Sequence, residues 1–368
     1  MRYFLFVVTT VHGLIHLLGF VKAFGLAEGS QLTHGISKTA GVMWLIAGFF
    51  YIVAAVLYIL HVDSWWIPAV PALLISQTLI FMSWGDAKFG TIATVIILVA
   101  VVIAIADALP GSFHNLYTAD VRKGLDRIGD MPLVTEDDIR QLPDPVRKYL
   151  RYTGAIGKPA LRNFRARFAG QFRNGLEGRW MNFTSQQYNF FDVPTRLFFM
   201  EAHTFGVPLA GFHRYVDSSA TMQIRAASLF TVVDARGPIM TKGETVTLFN
   251  DMCVMAPASL IDKAIRWEPV DSLNAKATFS NHGYTIAAIL SFNSDGALTD
   301  FSSNDRSMSA DGVTFTNYRW STPMKNYIDV GGRKIASYGE TIWHTPEGEF
   351  VYGKFHLADI EYNCREFK

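Results

Sequence analysis

The chain has 368 residues, half of them hydrophobic and only 18% charged, with a formal net charge of +1. Soluble domains run nearer a quarter charged, so part of this chain is unusually apolar. The near-neutral balance leaves no electrostatic footprint for nucleic acid, and no nucleic-acid-binding motif is present.

The apolar excess lies at the start. A bilayer core about 30 Å thick needs roughly 20 apolar residues at 1.5 Å each. Four stretches qualify, at 3–26, 39–60, 65–84 and 89–108. The first is too long for a cleaved signal peptide, has no small-residue cleavage site and is followed by three more spans. Thr9, His12, Gly13, His16 and Gly19 share one helix face, which predicts contact with other helices rather than lipid. Gly41, Trp44, Gly48, Tyr51, Ala55 and Tyr58 form a heptad seam on the second span. Ser76 and Gln77 add polar groups to the third, and a four-helix bundle follows. Lys22, Lys38 and Lys88 sit in the first and third loops, which predicts those loops as cytoplasmic and both termini outside. The 84–90 segment, with Asp86 and Lys88, reads as a tight charged turn.

His12 and His16 are the strongly polar side chains deep in this bundle, and an ionisable residue in a membrane is a functional candidate. One reading is a haem, quinone or metal site. The other is hydrogen bonding to Ser76, Gln77, a Thr or a Tyr to fix the packing. A bis-histidine haem usually draws its ligands from two helices, and no second span offers a central His; His34 and His61 belong to loops.

Residues 109–141 read as an amphipathic connector. Phe113, Leu116, Tyr117, Val121, Leu125 and Ile128 recur at helical spacing, opposite Arg122, Lys123 and Arg127. That face suits a membrane surface or the soluble domain equally. Thr135 is placed to cap one short helix, and Asp144 a second that starts at Pro145 and stops before Gly154. Val146, Tyr149 and Leu150 would face a core.

Residues 142–368 read as a soluble, mainly antiparallel β domain with a few helices. From about residue 161 the period is two: Phe164, Ala166, Phe168, Gly170 and Phe172 alternate with Arg165, Arg167, Gln171 and Arg173. Hairpin signals follow at Asn174-Gly175, Ser218-Ser219, His282-Gly283, Asp295-Gly296, Asp311-Gly312 and Gly331-Gly332, enough for ten or more strands. Between 241 and 261 the spacing turns helical, with Pro257 separating two short helices.

No GxSxG, HExxH, GxGxxG, phosphate loop or CxxC is present, so no enzyme class and no cofactor is indicated. Asp234 and Arg236 can pair in a loop. Glu340, His344 and Glu349 can be a metal or acid–base site, or simply a solvated strand face. With only two cysteines, Cys253 and Cys364, far apart in sequence, a disulfide framework is excluded as the main source of stability; buried free thiols or one bridge remain. The excess is aromatic, with 28 Phe and 14 Tyr. Leu197, Phe198, Phe199 and Met200 are apolar on both strand faces, as a sheet wrapped around helices or around an apolar ligand would require. Phe164, Phe168, Phe172, Met181 and Phe183 are the candidate wall of such a cavity.

The run from Leu142 to Gly154, the strings 232–237 and 265–271, and Trp343-His-Thr-Pro-Glu-Gly-Glu-Phe350 together resemble a bacterial membrane-protein family known only as a domain of unknown function. The resemblance covers most of 142–364, and 76–91 is similar to the membrane part of some members. In strand order and helix insertion the soluble domain resembles the half-barrel of periplasmic lipoprotein carriers and receptors. That implies a curved sheet, helices closing its concave side and a greasy cavity. Unlike those carriers, this chain is tethered by four helices. The expectation is a multi-pass protein of the cell (inner) membrane with an extracytoplasmic module that binds a lipid, an acyl chain or a lipoprotein. A quinone- or haem-linked enzyme using His12 and His16, or a scaffold subunit with a membrane-protein partner, are the alternatives.

Overall fold

The computed structural model describes residues 2–26, 33, 35–127, 129–309 and 311–368; the expectations placed on His34 and Ile128 lie outside the described residues. The chain divides into two compact units, Met1–Leu109 and Pro110–Lys368.

The first unit holds α1 (Arg2–Ala23), α2 (Lys38–Ile59), α3 (Trp66–Met82), α4 (Trp84–Ala87) and α5 (Gly90–Ala108). Four of its helices are long and apolar enough to cross a membrane. The 22 residues of α1 rise about 33 Å, the thickness of a bilayer core. Phe4, Val7, Val11, Leu14 and Leu18 of α1 are exposed, which suits lipid as solvent and not water. The opposite stripe, Thr9, His12, Gly13, His16 and Gly19, is buried. It meets Gly41, Trp44, Gly48, Tyr51 and Ala55 of α2. Glycine is required here by close approach. A Cβ on Gly48 would lie 2.8 Å from the Gly13 carbonyl oxygen, and one on Gly19 would lie 2.4 Å from the Trp44 ring. Arg2 donates to the Tyr58 and Ile59 carbonyls at 3.0 and 2.7 Å, satisfying the end of α2. The 84–90 segment forms the single turn α4, where Asp86 accepts from the Thr33 amide and hydroxyl at 2.6 Å.

The second unit starts with α6 (Phe113–Leu125), α7 (Glu136–Ile139) and α8 (Asp144–Tyr152). Six strands follow: β1 (Asn163–Phe172), β2 (Met181–Phe190), β3 (Thr195–Thr204), β4 (Val207–Val216), β5 (Ser219–Ala226) and β6 (Phe230–Ala235). Then come α9 (Pro238–Met255) and a 3-10 turn at Pro257–Ile261. The rest is β7 (Ile265–Pro269), β8 (Asn274–Asn281), β9 (Tyr284–Phe292), β10 (Leu298–Ser303), β11 (Ser307–Met308), β12 (Thr316–Asn317), β13 (Arg319–Ser321), β14 (Met324–Val330), β15 (Arg333–Thr345) and β16 (Gly348–Tyr362).

Among the described residues fourteen strands form one curved sheet in the order β6-β5-β4-β3-β2-β1-β16-β15-β13-β10-β9-β8-β7, with β14 beside β15 and β11-β12 a separate ribbon. Every pairing is antiparallel. The edges β6 and β7 do not pair with each other, so the sheet is not closed. The chain crosses from one edge to the other through α9, which fills the inner side.

The register explains the strand that is apolar on both faces. Ala166, Gln187, Phe198 and His213 form one inner row, and Arg167, Gln186, Phe199 and Phe212 the neighbouring outer row. Outside, α6 buries Phe113, Tyr117, Val121 and Leu125 against Tyr188, Phe190, Leu197, Phe199 and Phe212. The apolar face of α6 therefore covers the sheet and is not available to a bilayer. Inside, α9 is buried on nearly every side, and Phe249 stacks on Phe279 with centroids 5.1 Å apart. The break expected at Pro257 is present, but the helix before it is one 18-residue element rather than a short one. Buried on all sides, it lacks the one-sided spacing that marks a surface helix.

The Thr135 capping box is present in α7. The second helix, α8, begins one residue earlier than expected, at Asp144, and ends before Gly154, which holds φ +66°. Val146, Tyr149 and Leu150 are fully buried. Both cysteines are free and buried. Phe249→Ala should cost about 3–5 kcal/mol by opening a cavity between α9 and β8; thermal melting of the detergent-purified chain checks it, and a melting point equal to the parent's contradicts this packing.

Candidate functional site

The inner face is not covered uniformly. The main core under α8 and α9 takes in Phe164, which is wholly buried. Further along the same face lies a separate cluster: Phe183, Phe198 and Ala202, buried, with Phe168, Phe172, Met200, Leu209 and Phe355 only partly so. It contains no residue of α9. Its aromatic rings cover one another edge-on or tilted, Phe183 to Phe355 at 5.2 Å and Phe172 to Phe183 at 6.0 Å. Gly170 makes this possible, since a Cβ there would lie 2.6 Å from the Phe183 ring. Of the five residues singled out as a wall, Phe168, Phe172 and Phe183 come together. Met181 sits half-buried opposite Phe172 at the rim. Phe164 belongs to the main core.

The two best-formed recesses among the described residues each leave about 10 Å³, room for a single water. One is lined by Thr153, Leu161 and Tyr362, the other by Gly124, Arg162 and Phe190. Neither touches the cluster, whose partly buried members form an apolar floor on the inner face.

A charged network that the sequence reading missed lies one row deeper. Arg196 donates to Asp251 at 2.7 Å and to Glu244 at 3.1 Å, and all three are almost fully buried. Asp251 also accepts from Gln187 at 2.6 Å and Asn189 at 3.1 Å. Arg306 lies 3.6 Å from Glu244, its guanidinium over the Trp320 ring at 4.6 Å. Burial pushes the Glu244 carboxyl up, but Arg196, His213 and Arg306 outweigh it and hold it well below the usual carboxylate range. Burial lowers His213 despite its contact with Glu244, so it is neutral at pH 7. The available signal was the spacing of Glu244 and Asp251, seven apart on one face of a helix that is otherwise largely uncharged. The network clamps α9 to β2 and β3 by compensated charge.

On the outer face, the Ser321 hydroxyl lies 2.8 Å from His344 Nε2, and His344 Nδ1 lies 3.4 Å from Glu349. Glu340 instead accepts from Tyr338. Ser321 is 3% exposed and sits in strand pairing on both sides, which holds the imidazole and presents no nucleophile. Asp234 and Arg236 pair at 2.5 Å, but not within a loop as expected: Asp234 lies in the edge strand β6 and Arg236 just past its end. In the bundle, His12 Nε2 lies 3.3 Å from the Ser76 hydroxyl and 3.2 Å from that of Thr94. His16 Nδ1 donates to the His12 carbonyl at 2.7 Å, and its Nε2 is buried with no hydrogen-bond partner among the described residues. No three His, Cys, Asp or Glu side chains gather as a metal site among the described residues.

Fold and site together define a protein with four candidate membrane spans and a curved, open antiparallel sheet wrapped around a helix. Residues 132–355 match the family of unknown function DUF6544; the match exceeds half the chain, and the chain belongs to that family. No curated protein matches it. Among solved structures, an outer membrane lipoprotein-sorting protein domain from Vibrio parahaemolyticus is similar at 10% identity and TM-score 0.32, over 54% of this chain and 85% of that one. A LolA superfamily protein from Nitrosomonas europaea is similar at 11% identity and TM-score 0.33, over 59% and 92%.

Two outcomes follow from the charges. Arg196→Met leaves two carboxylates buried without their shared cation and should destabilise by about 3–5 kcal/mol, read by denaturant unfolding. Asp300 carries a buried oxygen without a hydrogen-bond partner, and burial, only partly offset by Arg319, pushes its carboxyl up to about 6. The folded state then holds the proton more tightly than the unfolded state, so this group's contribution falls as pH rises through that value. Asp300→Asn should melt higher than the parent above pH 7 and equally at pH 4; an unchanged melting profile across that range contradicts the burial argument.

Proposed function

We propose that this protein is a membrane-anchored binding module whose inner-face floor of Phe168, Phe172, Met181, Phe183, Met200 and Leu209 receives the acyl chain of a lipid or lipoprotein. The observation that carries this reading is the partly exposed apolar cluster that α9 leaves uncovered. Each fully buried methylene gains about 0.8 kcal/mol, so micromolar binding needs about ten of them, the length of a whole acyl chain rather than its tip. The loop lysines Lys22, Lys38 and Lys88 favour placement in a cell (inner) membrane with the β unit outside the cytoplasm. The protein binds its ligand without chemistry.

A second reading rests on His16. Its Nδ1 hydrogen bond leaves a lone pair on the buried Nε2, which suits the hydroxyl of a reduced quinone. Quinone in an organic extract of the purified protein, lost in His16→Leu, would favour it.

The test of the leading reading is photolabelling of the purified full chain with a diazirine-bearing fatty acid. Label is expected on peptides spanning 168–183 and 198–209, reduced several-fold in Phe172→Glu. Label confined to the four long apolar helices, with none on those peptides, overturns the reading.

A further inference from the structure

One end of the sheet carries a group of exposed large apolar side chains. Phe205 is 95% exposed, Phe230 68%, Val232 55%, Leu229 46%, Leu176 45% and Val207 40%. They belong to the β1–β2, β3–β4 and β5–β6 connections or to the strand ends beside them. The register puts these three connections at the same end, just beyond the row Gly170, Phe183, Ala202, Leu209 and Ala226.

Phe205 is the most telling. It holds φ +47° and Gly206 holds φ +82°, a two-residue turn with both central residues left-handed. That turn favours Asn-Gly, and a bulky side chain there is strained. Neither turn chemistry nor packing explains a Phe at this position.

The same end is where the chain enters this unit. Arg225 donates to the Gly111 carbonyl at 2.9 Å and lies over the Phe113 ring at 4.1 Å. Arg225 pairs with Ala210 and Thr231, and its neighbour Ala226 pairs with Leu209 and Phe230. The apolar helix α5 ends at Ala108. Three residues of chain reach at most about 11 Å, and adjacent strands are about 5 Å apart. Gly111 therefore lies within about 11 Å of the end of α5, and the apolar tips stand at the end of the sheet on which Gly111 is held. Trp180, between Arg173 at 4.7 Å and Lys354 at 4.6 Å, adds an interfacial aromatic with cations to the same end. Exposed Glu177 and Glu201 stand there beside exposed Arg179, so charges of both signs flank the apolar tips.

We infer that this rim, led by Phe205 and Phe230, inserts into the lipid interface, so that the inner-face floor opens at the membrane surface. The rim's contact with lipid stands apart from what the floor binds.

The test uses the full chain in phosphatidylcholine nanodiscs, with a nitroxide attached at Phe205→Cys, Phe230→Cys and, at the opposite end, the exposed Ser218→Cys; Cys253 and Cys364 are buried. At 205 and 230, collision with oxygen should exceed collision with a water-soluble nickel chelate several-fold, and at 218 the order should reverse. Nickel access at 205 and 230 equal to that at 218 overturns the inference, and so does shielding from both reagents, which would mean protein covers the rim. A Phe205→Ser, Phe230→Ser double variant should melt in detergent like the parent, since both side chains are mostly exposed. Success here with no fatty-acid labelling of the floor would retain the rim and discard the binding reading.

Discussion

An inner sheet face this broad cannot be covered by one helix. The 18 residues of α9 rise about 27 Å, and they are spent on the half of the sheet formed by β7 to β10 and the deeper ends of the remaining strands. Apolar surface that finds no helix must be covered by itself, by lipid or by a ligand. The ring cluster around Phe183 is what self-cover looks like: edge-on and tilted aromatics, the Phe183 ring seated over Gly170, and several side chains left partly wet.

The position of α9 is not set by apolar contact, which would tolerate sliding. It is set by charge. Arg196 between Glu244 and Asp251, with Gln187 and Asn189 donating the further bonds to Asp251, has one arrangement in which these buried groups are met. Shifting the helix by a turn would strand a carboxylate in a dry interior, which costs several kcal/mol. The network thereby keeps α9 from moving onto the uncovered floor. On the outer face α6 packs with Gly124 against the Phe190 ring and is also held by charge, Asp120 accepting from Arg214 of β4 at 2.6 Å.

The spans, the buried stripe of α1, the seam of α2 and the turn positions of the sheet were legible because each rests on local periodicity or on glycine and asparagine chemistry. The double-sided strand at 197–200 was legible as a demand for cover on both faces, and α6 and α9 meet it. The placement of α6 was not decidable from spacing, since an amphipathic face looks the same toward lipid and toward protein. The length of α9 was hidden because a helix buried all round has no polar stripe to mark its turns. The charged clamp was missed because Arg196, Glu244 and Asp251 are distant in sequence and converge only through topology. A hollow was expected from aromatic content, the doubly apolar strand and the resemblance to the carriers, and none of these distinguishes rings that line a space from rings that fill it.

In this account the floor around Phe168, Phe172 and Phe183 is a binding surface and not merely a loosely finished core. Hydrogen exchange of the detergent-purified chain, with and without a soluble lysophospholipid below its micelle-forming concentration, addresses that directly. The account predicts slower exchange in the peptides containing 168–172, 181–185 and 198–202, with α9 and β8 unchanged. Identical exchange in those peptides with and without the lipid would contradict it.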